Sequence, residues 1–277
     1  MKQRDAYFDN VKGILILLVV IGHLIEPFYL KSKFVESLYT FIYTFHMPAF
    51  IFLSGLFFKP DLKKAFYFLK LYLAFQFLRL GLEYFIFHRN LTLYSFLYPA
   101  WTLWYLLSMF FWYLIGYFNE KLKISVTIMF VISLLIVFIP FANSIFSFQR
   151  TFAYLGFFIL GAFINYKNFK NKLFYIYTNH IYIYIYIMIL YCMVIFFCVT
   201  KSNIPMELFF NNNPYENLGI FIRIFNFLMA SIISIVLFRF TSNKNCLLTK
   251  IGQYSLWIYL GHTYFLSGIR ILIRYFL

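Results

Sequence analysis

The chain has 277 residues, 63% apolar, 25% aromatic and only 12% charged, whereas soluble domains carry roughly 45 to 50% apolar and about 25% charged residues. That composition excludes a water-soluble globule and describes an integral membrane protein. Its formal charge of +15 falls mostly in short loops between apolar runs, as the positive-inside rule prescribes, so nucleic acid is not expected as a partner.

A spanning helix needs about 20 apolar residues. Candidates follow in close succession at 11–30, 38–58, 65–87, 101–118, 124–141, 151–164, one within 173–200, 218–240 and 251–269. The expected fold is therefore an all-α polytopic membrane protein, a bundle of nine to ten transmembrane helices; the tenth crossing would come from the long 173–200 run or from the stretch after Lys201. No polar stretch between the runs is long enough to build a core of its own, so a single transmembrane domain over 1–277 is expected. The first run lacks a small-residue cleavage site and reads as a retained helix. The alternating Ile-Tyr stretch at 181–187 looks strand-like, but an isolated strand cannot satisfy its backbone in lipid, so it is assigned as helix. Cys192, Cys198 and Cys246 show no metal-ligand spacing and read as packing residues; no metal is expected.

With the N-terminus cytoplasmic, Lys2, Arg4, Lys59, Lys63, Lys64, Lys121, Lys123, Lys167, Lys170 and Lys172 fall inside, against Lys31, Lys33, Arg89 and Arg150 outside. The bias favours N-inside. Beyond the sixth run the signals divide: Lys244 and Lys250 lie inside with nine spans, whereas Arg270 and Arg274 lie inside with ten.

Ionisable groups within spans are costly and are functional candidates. On the first helix Asp9, Lys12, His23 and Glu26 fall on one stripe, since eleven steps of 100° from Lys12 to His23 return to within about 20°. The bland alternative makes Asp9 and Lys12 interfacial anchors and His23 a polar interhelical contact. On the second helix His46 lies at a depth similar to His23. Pro48 beside it lacks an N–H and leaves the Thr44 carbonyl one turn back without its helical donor, a break tolerated where it lines a cavity. Ser54-Gly55 reads equally as a small-residue packing contact. On the third helix Arg79 and Glu83 are spaced to neutralise each other, and Lys70 either serves a site or snorkels. Arg150 reads as anchor or site residue. His262 lies about 16 Å into the last run, near mid-membrane. His88 and His180 read as interfacial. A mid-membrane imidazole suits proton transfer from a hydroxyl, and lysines at the inner mouth suit phosphates. With no Gly-rich phosphate loop and no HExxH pair, these residues by themselves define a membrane enzyme or a transporter.

The segments DNVKGILILLVVIGHLIEPF, FHMPAFIFLSGLFF, TLWYLLSMFFW, RTFAYLGFFILG and IGQYSLWIYLGH, in that order across nearly the whole chain, resemble acyltransferase family 3, in particular its fucose 4-O-acetylase-like branch of sugar O-acetylases. The resemblance implies an enzyme, usually of ten spans, that takes an acyl group from cytoplasmic acyl-CoA, acetyl-CoA above all. The acceptor would be a hydroxyl of a cell-surface or lipid-linked glycan, within the bacterial cytoplasmic membrane and among its lipids. The family's first-helix basic residue and histidine fall on Lys12 and His23, and its histidine before Met-Pro falls on His46. The catalytic set is then His23, His46 and Glu26, with His23 as general base or acyl relay and His46 orienting it or stabilising the oxyanion. Donor binding falls to Lys12, Lys63, Lys64, Lys70 and Ser54. The family's Arg-x-x-Arg lands on Tyr67 and Lys70, so one basic position is missing, with Lys63 and Lys64 as substitutes. Acceptor binding falls to Trp104, Arg150 and His262. A transporter of a glycan or small solute is the competing reading; it predicts structural repeats, and none is visible in the sequence.

Overall fold

The computed structural model describes residues 5–139, 145–164, 169, 181–201 and 219–276. Among these the chain is helical, with no strand: α1 (Ala6–Ile25), continued by a 3-10 turn at Glu26–Lys31, α2 (Lys33–Leu56), α3 (Leu62–Phe85), α4 (Leu93–Leu97), α5 (Trp104–Leu122), α6 (Val126–Leu135), α7 (Phe148–Phe163), α8 (Ile181–Lys201), α9 (Gly219–Phe240), α10 (Leu247–Gln253) and α11 (Ser255–Phe276). Five helical stretches in this set are long and apolar enough to cross a membrane: Ala6–Lys31, Leu62–Phe85, Ile145–Phe163, Tyr182–Thr200 and Ile220–Phe240. The protein is integral to the membrane. Helices α2, α5 and α11 are of comparable length, but polar side chains such as His46, Asn119 and His262 dilute their apolar character.

Local chemistry sets the helix ends. The Asp5 carboxylate accepts from the Tyr7 N–H to open α1, and Asp61 accepts from the amides of Lys63 and Lys64 to open α3; each satisfies donors that the first turn leaves orphaned. Ser125 does the same for α6 through Ile128. Pro27, near the start of the 3-10 turn, has no N–H to donate back into α1, and the helix tightens there. Pro48 sits within α2 without ending it. The Ile-Tyr stretch is helical, as expected, and opens α8. Residues 202–218, which hold one expected source of a tenth crossing, lie outside the described set, as do those before Ile181 in the long run and His180.

Two compact units divide the chain: Met1–Phe50, Lys167–Phe209 and Phe225–Leu277 make one, and Ile51–Tyr166 with Phe210–Ile224 make the other. In the first, α1 packs on α10 and α11. The α1–α10 crossing is a backbone-on-backbone contact: a Cβ on Gly13 would meet the Leu248 carbonyl oxygen at 2.3 Å, and one on Gly252 would meet the Asp9 carbonyl oxygen at 1.7 Å. Asn10 locks this crossing. Its Nδ2 donates to the carbonyls of Ser242 (2.8 Å) and Lys244 (2.9 Å), and its Oδ1 accepts from the Thr249 hydroxyl at 2.6 Å and the Cys246 thiol at 3.5 Å. This anchoring separates α10 from α11 at Tyr254, where the sequence pattern showed one run from 251.

In the second unit α3 packs on α5 and α7 on both α5 and α6. Gly55 and Gly161 face each other's helices so closely that a Cβ on either would meet a backbone oxygen, Phe158 or Phe52, at 2.1 Å; of the two readings of Ser54-Gly55, the glycine realises the packing one. Gln76, buried on α3, holds the loop before α5 by donating to the carbonyls of Ser95 and Tyr98 and accepting from the Ala100 N–H at 2.8 Å. Arg79 and Glu83 do neutralise each other, at 3.0 Å. Arg223, at 2% exposure, donates through Nη2 to the carbonyls of Ala153 on α7 and Ser133 on α6.

Candidate active site

The first unit gathers the predicted histidines. His23 occupies the last turn of α1, Tyr43 and His46 lie one turn apart on α2, and His262 comes from α11. Gly22 permits the approach, since a Cβ there would already stand 3.1 Å from the Tyr43 ring. His23 Nδ1 is 3.3 Å from Glu26 Oε2 and 3.1 Å from the Tyr43 hydroxyl. A carboxylate only accepts, so the pair places the imidazole hydrogen on Nδ1, shared with the Tyr43 oxygen, and leaves the lone pair on Nε2. This is the carboxylate–imidazole arrangement that holds a histidine in the tautomer of a general base.

The other two imidazoles have the same polarity. His46 Nδ1 donates to the Ile42 carbonyl at 2.7 Å, and His262 Nδ1 donates to the Tyr259 carbonyl at 2.7 Å. Both therefore keep Nε2 as an acceptor. The His262 ring lies 5.3 Å from that of His23, centroid to centroid, and its Nε2 is buried without a hydrogen-bond partner among the described residues. Tyr43 connects the group, with its ring 4.8 Å from His46 and 6.0 Å from His23. No three His, Cys, Asp or Glu side chains in the described set converge in metal-ligating geometry.

The charged stripe on α1 resolves into two pairs. At one end Glu26 serves His23; near the other, Lys12 Nζ lies 3.4 Å from Asp9 Oδ1. Asp9 is 4% exposed, so Lys12 is held in place by a buried carboxylate while keeping nearly a third of its side chain accessible.

The second unit holds the remaining predicted residues. Arg150 on α7 lies over the Trp104 ring of α5 at 5.1 Å, a cation–π pair, and Trp104 stacks on Tyr154 at 5.5 Å. The acceptor-binding expectation thus joins two residues that do meet. Ser54 shares a 2.7 Å hydrogen bond with the Tyr105 hydroxyl. Lys63, Lys64 and Lys70 are exposed on α3, with Lys64 Nζ 5.8 Å above the Tyr113 ring. Sequence reasoning passes over Tyr43, Asn10 and Arg223. Arg223 carries a usable signal, a charge inside an apolar run; Tyr43 has little, being one tyrosine among 25.

The model of a family described as an acyltransferase domain matches residues 5–277. Two curated relatives are both named nodulation protein NolL. The one from Sinorhizobium fredii is 46% identical over 55 residues, covering 19% of this chain and 15% of the relative. The one from Mesorhizobium japonicum is 44% identical over 55 residues, with the same coverage. The chain thus aligns to a small part of these relatives' length. No solved structure matches. With the family model matched from Asp5 to Leu277, over nearly the whole chain, the chain belongs to acyltransferase family 3.

Proposed function

We propose that the protein is a membrane O-acetyltransferase that moves an acetyl group from cytoplasmic acetyl-CoA to a hydroxyl of a cell-surface or lipid-linked polysaccharide sugar. It works as a single acyltransferase domain of ten spans in a bacterial cytoplasmic membrane, with its N-terminus inside. The observation that carries this reading is His23, held through Nδ1 by Glu26 and Tyr43 in the tautomer whose basic nitrogen is Nε2. The acceptor hydroxyl gives its proton to that Nε2 while its oxygen bonds to the thioester carbonyl carbon. The carbon–sulfur bond then breaks, and the thiolate recovers the proton from the imidazolium, so the enzyme ends as it began. Glu26 stabilises the imidazolium between these steps. His46, whose neutral ring offers an acceptor, orients the sugar hydroxyl rather than donating to an oxyanion.

Lys12, kept in place by Asp9, and Lys63, Lys64 and Lys70 are assigned to the phosphates of the donor, with Ser54 contributing a hydroxyl. Trp104, Arg150 and His262 are assigned to the acceptor. Donor contacts near water weaken with salt, so consumption of acetyl-CoA should fall as ionic strength rises. Inside-out vesicles should consume acetyl-CoA added to the medium, with transfer to glycan read by mass spectrometry. Consumption by right-side-out vesicles alone would reject the orientation, and no acetyl difference between glycans made with and without the protein would reject the activity. A C-terminal reporter should be active on the inner side; activity only outside would reject ten spans.

A further inference from the structure

We propose that Tyr29, Tyr39 and Tyr43 form an aromatic column that binds the ring face of a pyranose and delivers its hydroxyl to His23. The inference rests on the acetyltransferase reading and gives it an acceptor subsite. The 3-10 turn that begins with Glu26, the partner of His23, also carries Tyr29. Its ring stacks on Tyr39 of α2 at 5.2 Å and 19°. Tyr39 in turn meets Tyr43, one helical turn further on, at 4.1 Å, and Tyr43 hydrogen-bonds His23. A series of rings, Tyr29, Tyr39 and Tyr43, therefore leads to the base. On α2 the series covers about 6 Å, from Tyr39 to Tyr43.

Exposure along the series is uneven in a way that separates roles. Tyr39 is 2% exposed and serves as a rigid spacer, whereas Tyr29 and Tyr43 are half-buried and keep surface for a ligand. Aromatic faces are electron-rich and attract the polarised C–H groups that cluster on one side of a pyranose, while the hydroxyls on its rim stay free for hydrogen bonds. Glu26, about a third exposed on the same turn, supplies such an acceptor beside the column. A linear polyol has the same hydroxyls but no flat C–H face, so the column discriminates against it.

The test uses the full chain in lipid nanodiscs and saturation-transfer NMR with methyl gluco-, galacto- and mannopyranosides as probes and sorbitol as the open-chain control. At least one pyranoside should receive saturation on its ring C–H protons from the wild-type protein, and sorbitol should not. Tyr29→Ala and Tyr29→Leu should weaken that pyranoside about tenfold, the scale of one aromatic stacking contact, while Tyr29→Trp restores it and acetyl-CoA binding stays constant throughout. Leu binding as well as Tyr would overturn the column, as would sorbitol binding equally or no pyranoside binding at all. If the pyranoside depends on Tyr29 but no glycan is acetylated, the subsite stands and the acetyltransferase reading fails. If acetylation depends on His23 while Tyr29→Leu leaves acceptor KM unchanged, the reverse holds.

Discussion

His23→Ala is expected to lower turnover by about a hundredfold or more, the usual scale for losing a positioned proton-transfer group, while the protein still folds and binds acetyl-CoA. The cause is specific to Nε2. Glu26 and Tyr43 both address Nδ1, so the ring is held rather than merely packed. Glu26→Gln should be milder, because the amide oxygen still accepts from Nδ1 and keeps the tautomer, but the imidazolium loses its counter-charge. Lys12→Ala should weaken donor binding with little change in turnover at saturating acetyl-CoA. Expression, thermal stability in detergent and glycan acetylation, measured together, separate these effects. A His23→Ala protein that is less stable yet fully active per folded molecule would make His23 a packing residue and remove it from the chemistry.

Gly252→Ala should cost the fold more than a methyl group added at any other glycine described above. The added Cβ would stand 1.7 Å from the Asp9 carbonyl oxygen and 2.9 Å from the Gly13 nitrogen, and neither is a flexible side-chain tip able to step aside. Overpacking usually costs about 1–3 kcal/mol, and this site belongs at or beyond the top of that range, with a correspondingly large fall in the midpoint of thermal unfolding. Gly261→Ala supplies the control, since a Cβ there meets nothing within 4 Å and alanine is the better helix former. Equal midpoints for the two variants would show that α1 and α10 do not meet as described.

Much of the helical layout is written in apolar runs and their caps. Asp61 before Lys63 marks the start of α3, and the Ile-Tyr alternation of α8 is resolved by the rule that lipid forbids a lone strand. The stripe from Asp9 to Glu26 is legible because helical periodicity alone places its members on one side. What escaped the sequence depends on contacts between distant segments. Seven residues, Leu247–Gln253, are too few for a hydropathy signal, so α10 merged with the helix that follows. Asn10 gives no hint that its amide will clamp the chain more than 230 positions later. Tyrosine is so frequent here that nothing in the pattern singles out Tyr43, and only the tertiary fold brings its hydroxyl to His23. Arg79 with Glu83 is readable because both partners share one helix; for Arg223 the charge within an apolar run is visible, but its acceptors are backbone carbonyls that no sequence pattern displays.

Arg223 also bears on how the protein is made. Its guanidinium acceptors lie 70 and 90 residues upstream, on α7 and α6, so both are synthesised well before α9 leaves the ribosome. An arginine entering lipid without partners is costly, by roughly 2.5–3.5 kcal/mol at a helix centre and less towards an end, and the waiting carbonyls lower that cost. Helix α6, at ten residues, is too short to span the hydrocarbon unaided. Synthesis therefore presents the acceptors before the donor: the carbonyls on α6 and α7 exist before the buried cation of α9 that joins them.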